Sequence, residues 1–275
     1  MSTPAPDIND ILKLLKDFET SHSYTVYAPS LEKELTYKQL TTQQLKSLYK
    51  TSINTNLLNL EFNQVLNNIL KENCLEKEID ASKLTVYDKL LFFIKTRIEC
   101  ISSEIKFNLT QDEIDAFNFA ENSVTVDIKE HLQKFLDKKY QFTKETFTVN
   151  DSQIICELPN LEIDSKFEND LNTATISDTT TDNFANIVGD TFINEVTKYI
   201  SAIRINNTDI DLLACDFKTR IEIIKACPAS LIKNALNYIE AYKQKISELL
   251  IVNIQANKDI VLTKEIPYDA SFYNV

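Results

Sequence analysis

The hydrophobic pattern of the first hundred residues changes period several times. Ile8, Ile11, Leu14, Leu15 and Phe18 recur at helical spacing and predict a short helix over 10–18. Tyr24 and Val26 read as a strand that ends in a turn at Ala28-Pro29, and the alternating Glu34–Lys38 reads as its hairpin partner. Thr41 or Thr42 then caps a helix through Tyr49 whose apolar face is Leu45, Leu48 and Tyr49. Leu58, Phe62, Val65, Leu66 and Ile69 predict a second helix over 57–70, ended by Asn73 and Cys74. Thr85-Val86-Tyr87-Asp88 forms a capping box. It opens a helix carrying Tyr87, Leu90, Leu91, Ile94, Ile98, Ile101 and Ile105 in two apolar rows, which suits the centre of a bundle. Residues 41–106 are expected to be helical.

The middle is more mixed. Residues 111–120 read as a short helix, and 146–149 with 154–158 as a hairpin around a loop at 150–153. The polar stretch 172–183 (NTATISDTTTDN) reads as a linker. Phe184, Ile187, Val188, Phe192, Val196, Tyr199, Ile200 and Ile203 predict a long helix beyond it. A short helix over 218–226, a break at Cys227-Pro228, a long helix over 229–250 and a hairpin around Asn257-Lys258-Asp259 complete the chain. The expected fold class is α+β, predominantly helical. It comprises an N-terminal β-hairpin plus helical bundle, a central small β-hairpin, and long C-terminal helices with a closing extended segment. The expected divisions are an arm and short helix at 1–23, a hairpin plus helical domain at 24–110, a mixed α/β insertion at 111–171, the linker at 172–183, and a helical region with an extended tail at 184–275.

Composition narrows the chemistry. The 275 residues hold one glycine, Gly189, and two histidines. Phosphate-cradling loops, dinucleotide fingerprints and nucleophile elbows all need glycines where the backbone turns sharply, so none of these can be built here. An AT-rich coding genome would produce the abundance of Asn, Ile and Lys and the same scarcity of glycine. The net charge of −12 argues against broad contact with nucleic-acid phosphates. The start MSTPAPDINDILKLL lacks a basic segment followed by an apolar one, and apolar runs are far shorter than a membrane span, so a soluble protein of the cytosol is expected. Five scattered cysteines without C-x-x-C spacing read as reduced, mostly buried thiols.

Candidate catalytic groups are sparse. His22 reads as a surface residue and His131 as part of a mixed-charge helix with no cysteine or second histidine near it in sequence. Asp209 and Asp211 share one side of an extended segment, but without a third carboxylate they read as part of a helix-entry loop. No catalytic residue, cofactor or metal site is assigned. The terminal IPYDASFYNV is different: Tyr268, Phe272 and Tyr273 sit on a short tail that either docks on its own domain or inserts into a partner.

The segment Tyr24-Thr25-Val26-Tyr27-Ala28-Pro29-Ser30-Leu31, followed by Lys33-Glu34 and a Gln/Leu/Lys-rich helix, resembles the opening of baseplate hub proteins of T-even-type contractile-tailed phages. Ile69–Cys74, Leu84–Phe92 running on to Lys95–Ile98, and Ile266–Phe272 are similar to further parts of that family. The likeness lies in residues 24–106 and at the C-terminus. One departure stands in the first turn, where Glu32 follows Leu31 in place of an expected glycine. The resemblance implies a non-enzymatic virion assembly or structural protein that binds other baseplate or tail hub proteins. It would work in the host cytoplasm during assembly, or in the tail baseplate if retained, without nucleic-acid or membrane contact. Tyr27, Pro29, Ser30, Tyr268, Phe272 and Tyr273 are the expected partner anchors. A non-viral helical binding or regulatory module is the alternative, and a hydrolase or transferase site assembled from acidic residues is a third reading.

Overall fold

The structure, a computed structural model, describes residues 8–51, 60–80, 83–138, 140–176, 192–206, 208–255 and 261–273. The N-terminal arm, Gly189, the start of the expected 57–70 helix, most of the linker, the first part of the 184–203 helix and the 257–259 turn lie outside these residues. Helix α1 (Ile8–Ser21) leads into strands β1 (Tyr24–Ala28) and β2 (Lys33–Tyr37), an antiparallel hairpin joined by a 3-10 turn at Pro29–Leu31. Its alternation is the period-two pattern of a half-covered strand pair, with Tyr24, Val26, Ala28, Leu35 and Tyr37 turned inward. Glu32 closes the turn at φ 49°, the left-handed conformation that glycine adopts without strain. The other described residues with positive φ are Asn118, Asn150 and Asn206, so asparagine fills most of the left-handed positions among the described residues of this glycine-poor chain.

Helices α2 (Thr42–Thr51), α3 (Leu60–Asn73) and α4 (Val86–Cys100) follow. Thr41 caps α2 reciprocally with Gln44, each side chain accepting from the other's backbone N–H at 3.1 Å. The capping box at Thr85 and Asp88 is formed, and α4 runs through the centre of the molecule. Tyr87, Leu90, Leu91, Phe92, Phe93 and Ile94 are all buried, against the hairpin on one side and α3 and two later helices, Ile128–Asp137 and Leu161–Ile176, on others.

The helical reading of 41–106 stops at Cys100. The Ile101 and Ser102 amides both donate to Arg97 O, and Arg97 Nη2 donates to Glu104 O at 2.7 Å, which reverses the chain. β3 (Glu104–Asn108) then pairs with β4 (Ser123–Asp127), flanking the short α5 (Gln111–Phe117). Ile105 is buried on the strand, so it satisfied a helical stripe by coincidence of spacing. Helix α6 (Ile128–Asp137) leads to β5 (Glu145–Val149) and β6 (Ser152–Cys156), whose connecting loop is the two residues Asn150-Asp151.

Helix α7 (Leu161–Ile176) takes up the first residues of the expected linker. The next described segment, α8, is helical over 192–198 and stops there, although the apolar pattern ran on to Ile203. Arg220 from α9 (Phe217–Ala226) provides the stop, because its Nη2 donates to the carbonyls of Thr197 and Ile200 at 2.9 Å each. Ile200–Ile205 becomes β7, which joins β6 on one side and β8 (Thr208–Asp211) on the other. Residues on either side of the expected linker therefore share one four-stranded sheet, packed by the long α10 (Ala229–Leu250). β9 (Ile251–Gln255) and β10 (Val261–Glu265) form a last hairpin before the tail.

The expected fold class, predominantly helical with hairpins at a few points, is thus corrected to a mixed α/β fold. Among the described residues ten strands pair into four small antiparallel sheets, distributed along the chain. Periodicity failed where β-branched residues spaced by three or four in sequence also suited a strand.

Candidate partner-binding cleft

Asp88 ties the Pro29 turn to the start of α4. Its Oδ2 accepts from the Thr85 N–H and hydroxyl at 2.6 Å each, while Oδ1 accepts from the Ser30 amide at 3.2 Å. One buried carboxylate therefore caps a helix and fixes the turn beside it. Facing this turn, the segment after α6 carries Tyr140 and Phe142. Tyr140 donates to Glu248 at 2.5 Å, and Phe142 meets Tyr87 edge-on at 4.7 Å between centroids. Between the two walls lies an open cleft of about 470 Å³ whose lining includes Tyr27, Pro29, Ser30, Tyr87, Tyr140 and Phe142. Tyr27 is 43 % exposed at its edge, whereas Tyr87 forms the buried floor. Three of the sequence-predicted anchors thus meet in a single concave surface with aromatic walls.

The other three lie elsewhere. Phe272 stacks on Phe93 at 4.3 Å, with the Arg97 guanidinium 5.3 Å from its ring. Tyr273 is fully buried; its hydroxyl donates to Phe93 O at 3.1 Å, and its carbonyl accepts from the Tyr49 hydroxyl at 2.8 Å. Tyr268 packs edge-on between Phe62 and Phe93. Of the two fates open to the aromatic tail, this is docking on its own domain.

A second cavity, about 410 Å³, opens where α3, α4, α7, α8, α10 and the tail converge. At its wall Asp164 accepts from Lys89 at 2.5 Å and from Lys198 at 3.1 Å, and Lys198 also reaches Glu195 at 2.9 Å. Burial alone would raise the Asp164 carboxyl, but the two lysine charges outweigh it and hold it at about 2. Burial would likewise lower both lysines; the charge of Asp164 outweighs it, and both are raised and stay protonated. Glu168, one turn along α7, is 2 % exposed, and its Oε2 has no hydrogen-bond partner among the described residues. Burial pushes its carboxyl up to about 8, so it is mostly neutral at pH 7. Sequence reading passed over this cluster. The available signals were Lys89 inside the apolar rows of α4, and Asp164 followed four residues later by Glu168, one helical turn along the same face.

The remaining candidates have structural partners. His131 Nε2 donates to Leu249 O at 2.8 Å, joining α6 to the end of α10. His22 stacks on Phe18. Asp209 forms a two-pronged pair with Arg204, and Asp211 accepts from the Leu213 amide on a strand rather than in a helix-entry loop. All five cysteines are free thiols, two of them buried. Among the described residues no group of three or more His, Cys, Asp or Glu is placed to hold a metal ion. Among the same residues no helix is long and apolar enough to cross a membrane.

No protein-family model, curated protein or solved structure matches the chain.

Proposed function

We propose that the protein is a non-catalytic binding component of a larger protein assembly and that it engages its partner through the Tyr27–Pro29–Ser30 cleft. The observation that carries this reading is the cleft itself. Its walls are fixed by Asp88 on one side and by Tyr140 with Glu248 on the other, and they present a half-exposed tyrosine over a buried aromatic floor. Tyrosine, with tryptophan and arginine, is enriched among the few residues that dominate binding energy at protein interfaces. The assembly we propose is the baseplate hub of a contractile-tailed phage, on the strength of the sequence resemblance. The partner is then another hub or tail protein met in the host cytoplasm. The test is co-purification of the full chain with hub proteins encoded beside it, using wild type and Tyr27→Ala. Retention by wild type, with at least about tenfold weaker binding by the variant, supports the reading. Binding to none of the hub proteins overturns the baseplate assignment, and unchanged binding by Tyr27→Ala overturns the cleft.

Acid–base chemistry is a second reading, favoured by Glu168 in the inner cavity. Against it, Asp164 is saturated by two lysines, and both lysines are protonated, so neither is poised as a nucleophile or base. The geometry suits a structural junction between helices better than a reaction centre.

A further inference from the structure

Helix α1 presents the largest run of uncovered apolar side chains in the described molecule. Ile8, Ile11, Leu12, Leu14, Leu15 and Phe18 are between 39 % and 68 % exposed, and none of them belongs to the core. Their spacing has a symmetry of its own. Read outward from Lys13, the apolar positions fall in pairs at one, two and five residues: Leu12 with Leu14, Ile11 with Leu15, Ile8 with Phe18. At 100° per residue all six lie on one stripe opposite Lys13. We infer that this face is covered by α1 of a second copy of the chain, packed antiparallel about a two-fold axis through residue 13.

Such an axis requires a surface complementary to itself, so that when residue i meets j, j also meets i. The mirrored spacing meets that requirement: Ile8 comes opposite Phe18, and Ile11 opposite Leu15. On one flank Leu12 meets its own copy, and on the other Leu14 does. The 3-4-3 spacing of Ile8, Ile11, Leu15 and Phe18 is also the seam pattern by which two helices interlock. An unrelated receiving groove would need the apolar stripe but not its symmetry. The six side chains expose roughly 600 Å² per copy, somewhat below the roughly 800 Å² per partner of a standard stable interface. The dimer is therefore weak and concentration-dependent. This surface is separate from the proposed cleft, so either can fail without the other.

The test is sedimentation of the full chain from about 1 μM to about 100 μM, with the doubly substituted Leu12→Glu, Leu15→Glu protein in parallel. Both positions are exposed and outside the core, so the variant keeps its fold, which circular dichroism checks. The expected result is a wild-type mass rising from 31.6 kDa toward twice that value, while the variant stays at one chain. Geometry is checked separately by mild oxidation of Leu14→Cys and Lys13→Cys proteins, with the linked peptides identified by mass spectrometry. A 14-to-14 disulfide without a 13-to-13 one is expected. A monomer at every concentration, a dimer that survives the double substitution, or linkage at residue 13 in preference to 14 overturns the inference. So does wild type that stays monomeric while binding phosphatidylcholine vesicles through α1.

Discussion

The two ends of the described chain carry apolar segments of similar length that meet opposite fates. The C-terminal segment from Ile266 to Tyr273 has a place prepared for it. Phe93 offers a ring face to Phe272 and a carbonyl to the Tyr273 hydroxyl, Arg97 lies over Phe272, and Tyr49 reaches the Tyr273 carbonyl. Helix α1 has more aliphatic surface, but its apolar face is left exposed by the rest of the described chain. The difference is one of complementary partners rather than of hydrophobicity. The tail finds both apolar rings and hydrogen-bond partners at one spot, and so behaves as core. Apolar character at a terminus therefore does not by itself mark an interaction surface; what the rest of the chain offers to cover it decides.

The largest effect expected from this comparison is on stability. Tyr273→Ala should destabilise the protein by about 3–5 kcal/mol, as removal of a buried aromatic does, whereas Leu15→Ala should stay within about 0.5 kcal/mol as an exposed change. Urea unfolding of the dilute proteins reads both, and equal effects would erase the distinction between the two ends.

A similar magnitude is expected at the charged junction that Tyr268 of the tail helps to line. Lys89→Ala leaves Asp164 buried with one lysine instead of two and should cost about 3–5 kcal/mol. Lys134→Ala, which breaks the exposed pair with Glu130, should cost under about 1 kcal/mol in the same assay.

The cluster also sets two pH windows of opposite sign. Glu168 holds its proton more tightly in the folded state, at about 8 against an ordinary 4.5. Stability should therefore fall as pH rises from about 4.5 to about 8, and Glu168→Gln should flatten that slope. Asp164 is the reverse: its contribution is complete above its ordinary 3.8 and is lost as pH falls toward about 2. Unfolding midpoints from pH 5 to pH 9 test the first sign, and a slope that Glu168→Gln leaves unchanged would contradict it.

The smallest effect is at the turn beside the cleft. Glu32→Gly relieves a left-handed residue but loosens the unfolded chain, so urea unfolding should show a net gain below about 1 kcal/mol.

Much of the N-terminal half was legible because its signals are local. The Thr85–Asp88 capping box, the Ala28-Pro29 turn and the paired alternation on either side of it each fix geometry within a few residues. The errors came where distant groups decide. The helix expected through Ile203 ends because Arg220, some twenty residues later, takes its carbonyls, and the helix expected through Ile105 ends with Arg97 reaching forward to Glu104. The cleft was half visible: Tyr27, Pro29 and Ser30 were identified, but the facing wall of Tyr140 and Phe142 is more than a hundred residues away. The junction of Lys89, Asp164, Glu168 and Lys198 had only partial signals, a lysine within an apolar row and two carboxylates one turn apart, and nothing local says that the one will find the other on a different helix.

The account's central claim is that partner contact falls on the cleft while the aromatic tail remains core. Amide hydrogen exchange on the full chain, alone and with a co-purifying hub protein, tests it most directly. The prediction is that residues 266–273 are slow to exchange in both states, and that new protection on binding appears at 27–32 and 140–143. New protection at 266–273 with none around the cleft would contradict the account.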